Sequence, residues 1–302
     1  MSSSSKVKWR LNKISRPSNI IFNIMFILIL ILFLTPVLLV VMISISSESS
    51  VLHNGYHFIP EAFSTASYQF LFKGAGQMIG SAYLMSIFVT SVGSFAATLF
   101  IALYAYPLTR KTFKGRNVFA FLAFFTTIFG GGLVPWVQIY QTVNLTNSVW
   151  ILIIPYLLNA WWVIIMRTFM QQSVPDELIE AARIDGAGEF KIFFRVVIPL
   201  CKAGLATILL FNLLRYWNDY YLSLVFISDH HLYTIQYYMY QMLSNISYLT
   251  SNSNVPAEAR KDLPGETARM AIAVVAVGPV IFAYPFFQRY FVKGLVIGAV
   301  KG

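Results

Sequence analysis

The chain has 302 residues, of which 57% are hydrophobic and only 11% charged. Soluble domains carry about 25% charged residues, so this composition excludes an ordinary water-exposed surface and points to lipid as the solvent. The net charge of +10 does not indicate nucleic acid, because the basic residues lie between apolar runs rather than on a nucleic-acid-binding motif.

Residues 1–19 read as a basic tail carrying Lys6, Lys8, Arg10, Lys13 and Arg16. The apolar run Ile20–Ile43 follows. It is longer than the roughly 7–15 residues of a signal-peptide core, and no A-x-A site comes after it. It is therefore expected to stay as a first membrane span. Residues 44–79 form a more polar segment. Residues 80–291 are expected to be the core domain, with five further spans at Gly80–Tyr106, Val118–Tyr140, Ser148–Phe169, Val197–Tyr216 and Ala271–Phe291. Residues 292–302 are a short tail. Each run is close to the ~20 residues a helix needs to cross a bilayer. The runs are continuous rather than alternating, so helices are preferred to a barrel. The expected fold class is an all-α membrane bundle of six transmembrane helices.

Lys and Arg set the orientation. All but five of the 22, namely Lys73, Arg215, Arg260, Lys261 and Arg269, fall on the side that holds both termini and residues 174–199. By the positive-inside rule that side is the cytoplasm, and the segments 44–79 and 217–270 lie outside. Several breakers lie within or near the spans: Pro36, Pro107, Pro135, Pro155, Pro279, Pro285 and the run Gly130-Gly131-Gly132. Two readings stay open for them, a kink or close helix contact and an unwound segment that lines a translocation path. The one cysteine, Cys201, cannot form an internal disulfide and reads as a small packing residue.

Between two apolar runs lies a charged island, Glu180-Ala181-Ala182-Arg183-Ile184-Asp185-Gly186, followed by Val196-Val197-Ile198-Pro199. Pro175 suits the first position of a helix, with Ser173 a candidate cap. Asp176, Glu177 and Glu180 favour the positive end of that helix. Ala181 and Ala182 let another protein approach closely, and Gly186 can end the helix in a left-handed conformation. A second helical stretch follows, with Phe190, Phe193, Phe194 and Val197 at helical spacing, and Pro199 marks the entry to the next span.

The pattern Glu-Ala-Ala, three residues, Gly, nine residues, then aliphatic-x-aliphatic-Pro resembles the cytoplasmic coupling loop of bacterial binding-protein-dependent ABC importer permeases. Gln288-Arg289-Tyr290-Phe291-Val292-Lys293-Gly294-Leu295 through Gly298–Gly302 is similar to the tail of maltose-type carbohydrate permeases. So is Tyr216-Trp217-Asn218-Asp219, and Gly131-Gly132-Leu133-Val134-Pro135 resembles a complex-oligosaccharide subgroup.

The resemblance implies a transport subunit in a bacterial inner membrane, not an enzyme. A second homologous permease, two ATPase subunits, an extracellular sugar-binding lipoprotein and an oligosaccharide substrate are its implied partners. No cofactor or metal is expected on this chain; ATP and Mg belong to the ATPases. Glu180, Ala181, Ala182, Asp185, Gly186 and Pro199 are the implied coupling residues, and Lys293, Gly294, Lys301 and Gly302 an ATPase-facing tail.

The sequence adds two constraints. No GxxxxGK[ST] phosphate loop occurs, and Gly186–Lys191 imitates one poorly, so the energy source must be another chain. Spans one to four contain no Asp or Glu, which weighs against an ion-coupled carrier. An importer of a non-sugar solute stays open, because the coupling loop is shared by many permeases. Trp217, Asn218, Asp219 and Tyr220, with Gly131, Gly132 and Pro135, are candidates for the sugar path. The competing account of the Trp217 cluster is an interfacial aromatic belt.

Overall fold

The structure, a computed structural model, describes residues 16–251 and 265–278. Among the described residues it is built of helices, with one isolated antiparallel bridge between Ser46 and Phe63. The chain divides into two units, residues 1–69 with 264–274, and residues 70–263 with 275–302.

In the first unit, α1 (Arg16–Ser44) contains the first expected span. Its apolar side chains from Ile20 to Val41 are mostly exposed, as lipid-facing residues are. α2 (Glu48–Asn54) is capped by Ser47. Glu48 then acts as a cap for the helical stretch 266–278: its carboxylate accepts the backbone N–H groups of Glu266 and Thr267, each at 2.9 Å. A carboxylate at that end satisfies orphan donors and opposes the positive helix terminus.

The second expected span lies within α3 (Ala66–Thr109). Among the described residues, α1 and α3 are the two helices long and apolar enough to cross a bilayer, or up to four spans exist if each of two bent pairs counts as one. Three expected spans are not straight helices. Val118–Tyr140 is split into α4 (Arg116–Ile128) and α5 (Leu133–Thr142). The break falls on the glycine run, where helix formation costs most backbone entropy, and Gly132 has φ +81°. Ser148–Phe169 begins as two short 3-10 turns, Val149–Leu152 and Ile154–Tyr156. It bends by 52° into α6 (Ala160–Ser173), which Asn159 caps through the N–H of Trp162.

The third correction concerns Val197–Tyr216. α7 (Asp176–Ile184) is followed by α8 (Glu189–Ile192), a π turn at Phe193–Val197 and α9 (Ile198–Leu200). An 85° bend at Cys201 then leads into α10 (Lys202–Trp217). The straight helix therefore starts at Lys202 rather than at Val197, and the residues before the bend run in another direction. Pro199 supplies a reason for the π turn. It has no N–H to give Arg195, and its ring presses on that carbonyl; the wider turn lets Ile198 N–H bond Phe193 O instead. Pro175 also differs from expectation: it precedes the first helical residue of α7, and no side-chain cap bond forms there.

Two apolar clusters hold the second unit. One joins Ile101, Ala105 and Tyr106 of α3 to Met166 and Met170 of α6, Ile179 of α7, Ile192, Phe193, Val197, Cys201 and Ile208. The other gathers Val89, Ile151, Tyr216, Tyr233 and Tyr237 with α11 (Tyr221–Phe226), ahead of α12 (Ile235–Ser251). Close helix approach depends on small residues. At Gly204 of α10, a Cβ would lie 2.5 Å from the Phe169 ring of α6. Of the sixth expected span, Ala271–Phe291, the described part is the helical end at 271–278.

Candidate functional site

The charged island forms a helix–turn–helix hairpin. α7 ends in a Schellman turn: Ala187 N–H bonds Ala182 O at 2.9 Å and Gly186 N–H bonds Arg183 O at 3.0 Å. Gly186 has φ +75°, the left-handed geometry such a turn requires. Nothing lies within 4 Å of a Cβ placed there, so conformation rather than space selects glycine. Glu180, Ala181, Asp185 and Gly186 are exposed, and so is Pro199. Ala182 instead packs partly against the bundle core, because α7 turns its Ile179–Ala182 side inward.

Two apolar residues stand exposed beside the Gly186 turn: Ile184 is 87% and Phe190 76% exposed. Spacing puts Phe190 in one apolar stripe with Phe193, yet only Phe193 and Val197 of that stripe are buried; Ile184 was not singled out. The signal was present, since each follows a charged residue on a short polar helix where water gives an apolar side chain no reason to stand.

The hairpin is tied to the end of α3 by polar groups. Glu189 Oε1 accepts from Arg183 Nε at 3.0 Å and Nη2 at 2.8 Å. Its Oε2 accepts from Tyr106 Oη at 2.6 Å. Arg110 Nη1 reaches Asp176 Oδ1 at 3.3 Å. Partial burial by itself would raise the Glu189 carboxyl. The bonds from Tyr106 and Arg183, with the charges of Arg183 and Arg110, outweigh it and hold the group below the ordinary glutamate value. A cavity of about 400 Å³ sits beside this cluster, walled by Leu103, Pro107, Phe113, Phe190 and Phe193.

At the other end of the second unit, the candidate path residues meet an aromatic cluster. Gly131, Gly132 and Pro135 are exposed at the α4–α5 break. Trp136, next in α5, stacks on Tyr221 at 6.3 Å and meets Phe226 edge-on at 4.9 Å. The fold thus brings the glycine run beside the segment that follows α10. Trp217 is buried and donates Nε1 to Ala276 O at 3.2 Å. Asn218 caps its own helix through Leu214 O. Asp219 accepts Tyr156 Oη at 2.5 Å and Leu222 N–H at 3.0 Å. Tyr220 is 40% exposed and stacks on Tyr240 at 4.9 Å. Arg215 lies 3.9 Å over the Tyr156 ring. Tyr220, Tyr221 and Tyr240 therefore offer exposed rings, whereas Trp217 and Asp219 are occupied by packing and bonding within the chain.

Among the described residues no group of three or more His, Cys, Asp or Glu is placed to hold a metal. The tail residues Lys293, Gly294, Lys301 and Gly302 lie outside the described residues.

Residues 111–297 match the family described as "Binding-protein-dependent transport system inner membrane component". The chain is 34% identical over 281 residues to the polygalacturonan/rhamnogalacturonan transport system permease protein YtcP of Bacillus subtilis, covering 93% of this chain and 96% of that protein. It is 32% identical over 267 residues to protein LplC of the same organism, covering 88% and 89%. A chain from the crystal structure of a bacterial ABC transporter that imports the acidic polysaccharide alginate superposes with a TM-score of 0.77. That match has 29% identity and covers 92% of this chain and 98% of the other.

Proposed function

The chain belongs to the binding-protein-dependent transport system inner membrane components, and from that premise we propose that it is a permease subunit importing oligosaccharides at the expense of ATP hydrolysed elsewhere. The exposed Gly186 hairpin carries this reading: a small-residue helix with a fixed turn is built to be gripped by another protein. Two ATPase subunits bind ATP and Mg and hold the hairpins. A second homologous permease completes the path, and an extracellular sugar-binding lipoprotein delivers the solute. Both termini and residues 174–199 face the cytoplasm, in keeping with the distribution of Lys and Arg. Tyr220 and Tyr221, with the Gly131–Gly132 break, supply ring faces and open backbone toward the path.

Galacturonan and alginate, the glycans named for two similar transporters, both bear carboxylates. Carboxylated oligosaccharides are therefore the substrates we assign first, with Arg215, which lies over the Tyr156 ring, a cation beside the aromatic cluster.

The test is reconstitution of the complete transporter in liposomes with its binding protein. Labelled oligogalacturonides and alginate oligomers are compared with neutral maltotriose. ATP-dependent uptake of the acidic oligomers in preference to maltotriose is the expected result. Uptake of neither class, with ATP hydrolysis indifferent to the binding protein, overturns the assignment.

A further inference from the structure

We propose that Tyr106, Glu189 and Arg183 form a positioning bridge that fastens both arms of the hairpin to the end of α3, so that turn and membrane helix move as one body. The inference rests on the proposed role of the hairpin as the ATPase contact.

The Arg183–Glu189 pair is 36% and 52% exposed, and exposed ion pairs usually add little to stability. What sets this pair apart is its third member and its position. One carboxylate takes bonds from three donors on two elements: both Arg183 nitrogens through Oε1 and the Tyr106 hydroxyl through Oε2. Arg183 lies in the last turn of α7 and Glu189 opens α8, so their pairing spans the Gly186 turn and sets its angle. Tyr106 is 6% exposed within the apolar cluster. Its ring packs on Phe193 at 5.4 Å, and the Arg110 guanidinium lies 5.4 Å from its centroid. Packing thus fixes where its hydroxyl points.

Arg110 adds a second tie through Asp176 in the first turn of α7. Both ends of α7, and the start of α8, are therefore referred to the same stretch of α3. The apolar contacts of Ile179, Ile192 and Phe193 set the spacing, but apolar contact is non-directional. Charge-assisted hydrogen bonds are directional, and they set the orientation. Both Glu189 oxygens are engaged within the chain, which leaves Glu180, Ala181, Ile184 and Asp185 as the outward face.

The test uses the assembled transporter with nitroxide labels at Lys111→Cys and Lys191→Cys; Cys201 is fully buried and sheltered from the reagent. Wild type should give one narrow label–label distance. Glu189→Gln and Tyr106→Phe should broaden it. In liposomes both should lower oligogalacturonide uptake per ATP hydrolysed by about tenfold while hydrolysis itself continues. The double exchange Arg183→Glu with Glu189→Arg remakes the pair across the turn but not the carboxylate that accepts the Tyr106 hydroxyl, so it should narrow the distance and recover uptake only in part. Tyr106→Phe keeps the ring in the core, so it separates the lost bond from misfolding. An unchanged distance and an unchanged uptake-to-hydrolysis ratio in both single variants overturn the bridge. If wild type itself imports no oligogalacturonide, the transport assignment fails, and the distance measurement alone decides the bridge.

Discussion

The hairpin end of the second unit and its aromatic end are fastened by different chemistry. At the hairpin, charged groups from separate elements meet: the partly exposed pair Arg183 with Glu189, and the buried Arg110 with the exposed Asp176. At the aromatic end, rings stack and polar tips are absorbed inside the fold, as with Trp217 on Ala276 and Tyr156 on Asp219. The difference matches what each region has to do. A surface gripped by another protein must hold its orientation while staying in water, where only directional polar bonds fix an angle. A region packed among helices gains little from hydrophobic expulsion in lipid, so it relies on close fit and satisfied hydrogen bonds.

The sharpest way to break this contrast is Trp217→Ala. It removes a ring that is 4% exposed, its bond to Ala276 and its ring contact with Tyr83 at 6.3 Å. Loss of about 3 kcal/mol is expected, read as a lower unfolding temperature of the purified transporter. If substrate preference changed while the unfolding temperature held, Trp217 would be a path residue rather than a packing one.

Gly186→Ala comes next. The added Cβ has room, but φ +75° costs it about 1 kcal/mol. Insertion and thermal stability should be nearly unchanged while uptake per ATP falls. A Gly186→Ala transporter with wild-type uptake per ATP would show that the turn angle does not govern coupling.

The smallest effect sharpens the comparison through pH. The Glu189 carboxyl lies below the ordinary glutamate range because Tyr106, Arg183 and Arg110 favour its charged form over the opposing effect of burial. A lowered value means that its contribution is complete above the usual pKa of about 4.3. The contribution is then lost as pH falls through the lowered value. Hydrogen exchange at residues 183–189 should stay slow, relative to the intrinsic rate, down to that range and rise below it. In Glu189→Gln the added protection should be absent at every pH; an identical profile in that variant would sever the link to Glu189.

Much of the hairpin was legible in the sequence because its determinants are local. The Gly186 turn needs one residue tolerant of positive φ at the end of a short helix, and the spacing of Glu180-Ala181-Ala182 and Gly186 carries that information within one element. Ile184 was legible too, as an apolar residue on a polar helix, yet it was overlooked, and Phe190 was assigned by spacing to a buried stripe it does not join. The glycine run at Gly130–Gly132 was marked as a breaker within one span, Val118–Tyr140, and the helix does end at Ile128 and resume at Leu133; composition alone did not choose between a kink and an unwound segment. By contrast, the 85° bend at Cys201 was missed, although Pro199, Lys202 and Gly204 interrupt the apolar run on either side of it; how far the chain turns there is set by what the two helices pack against.

By itself the sequence determined the solvent, the helical class, the charge asymmetry and the turn, because each follows from composition or from residues a few positions apart. Only the tertiary structure decided that Ala182 faces inward, that Trp217 and Asp219 are engaged within the fold, and that Glu189 meets a tyrosine 83 positions earlier. The reason is physical. Backbone preference and hydropathy act over a few residues, whereas the partner of a buried hydroxyl or a carboxylate is set by which helices pack together, and no local pattern encodes that distance.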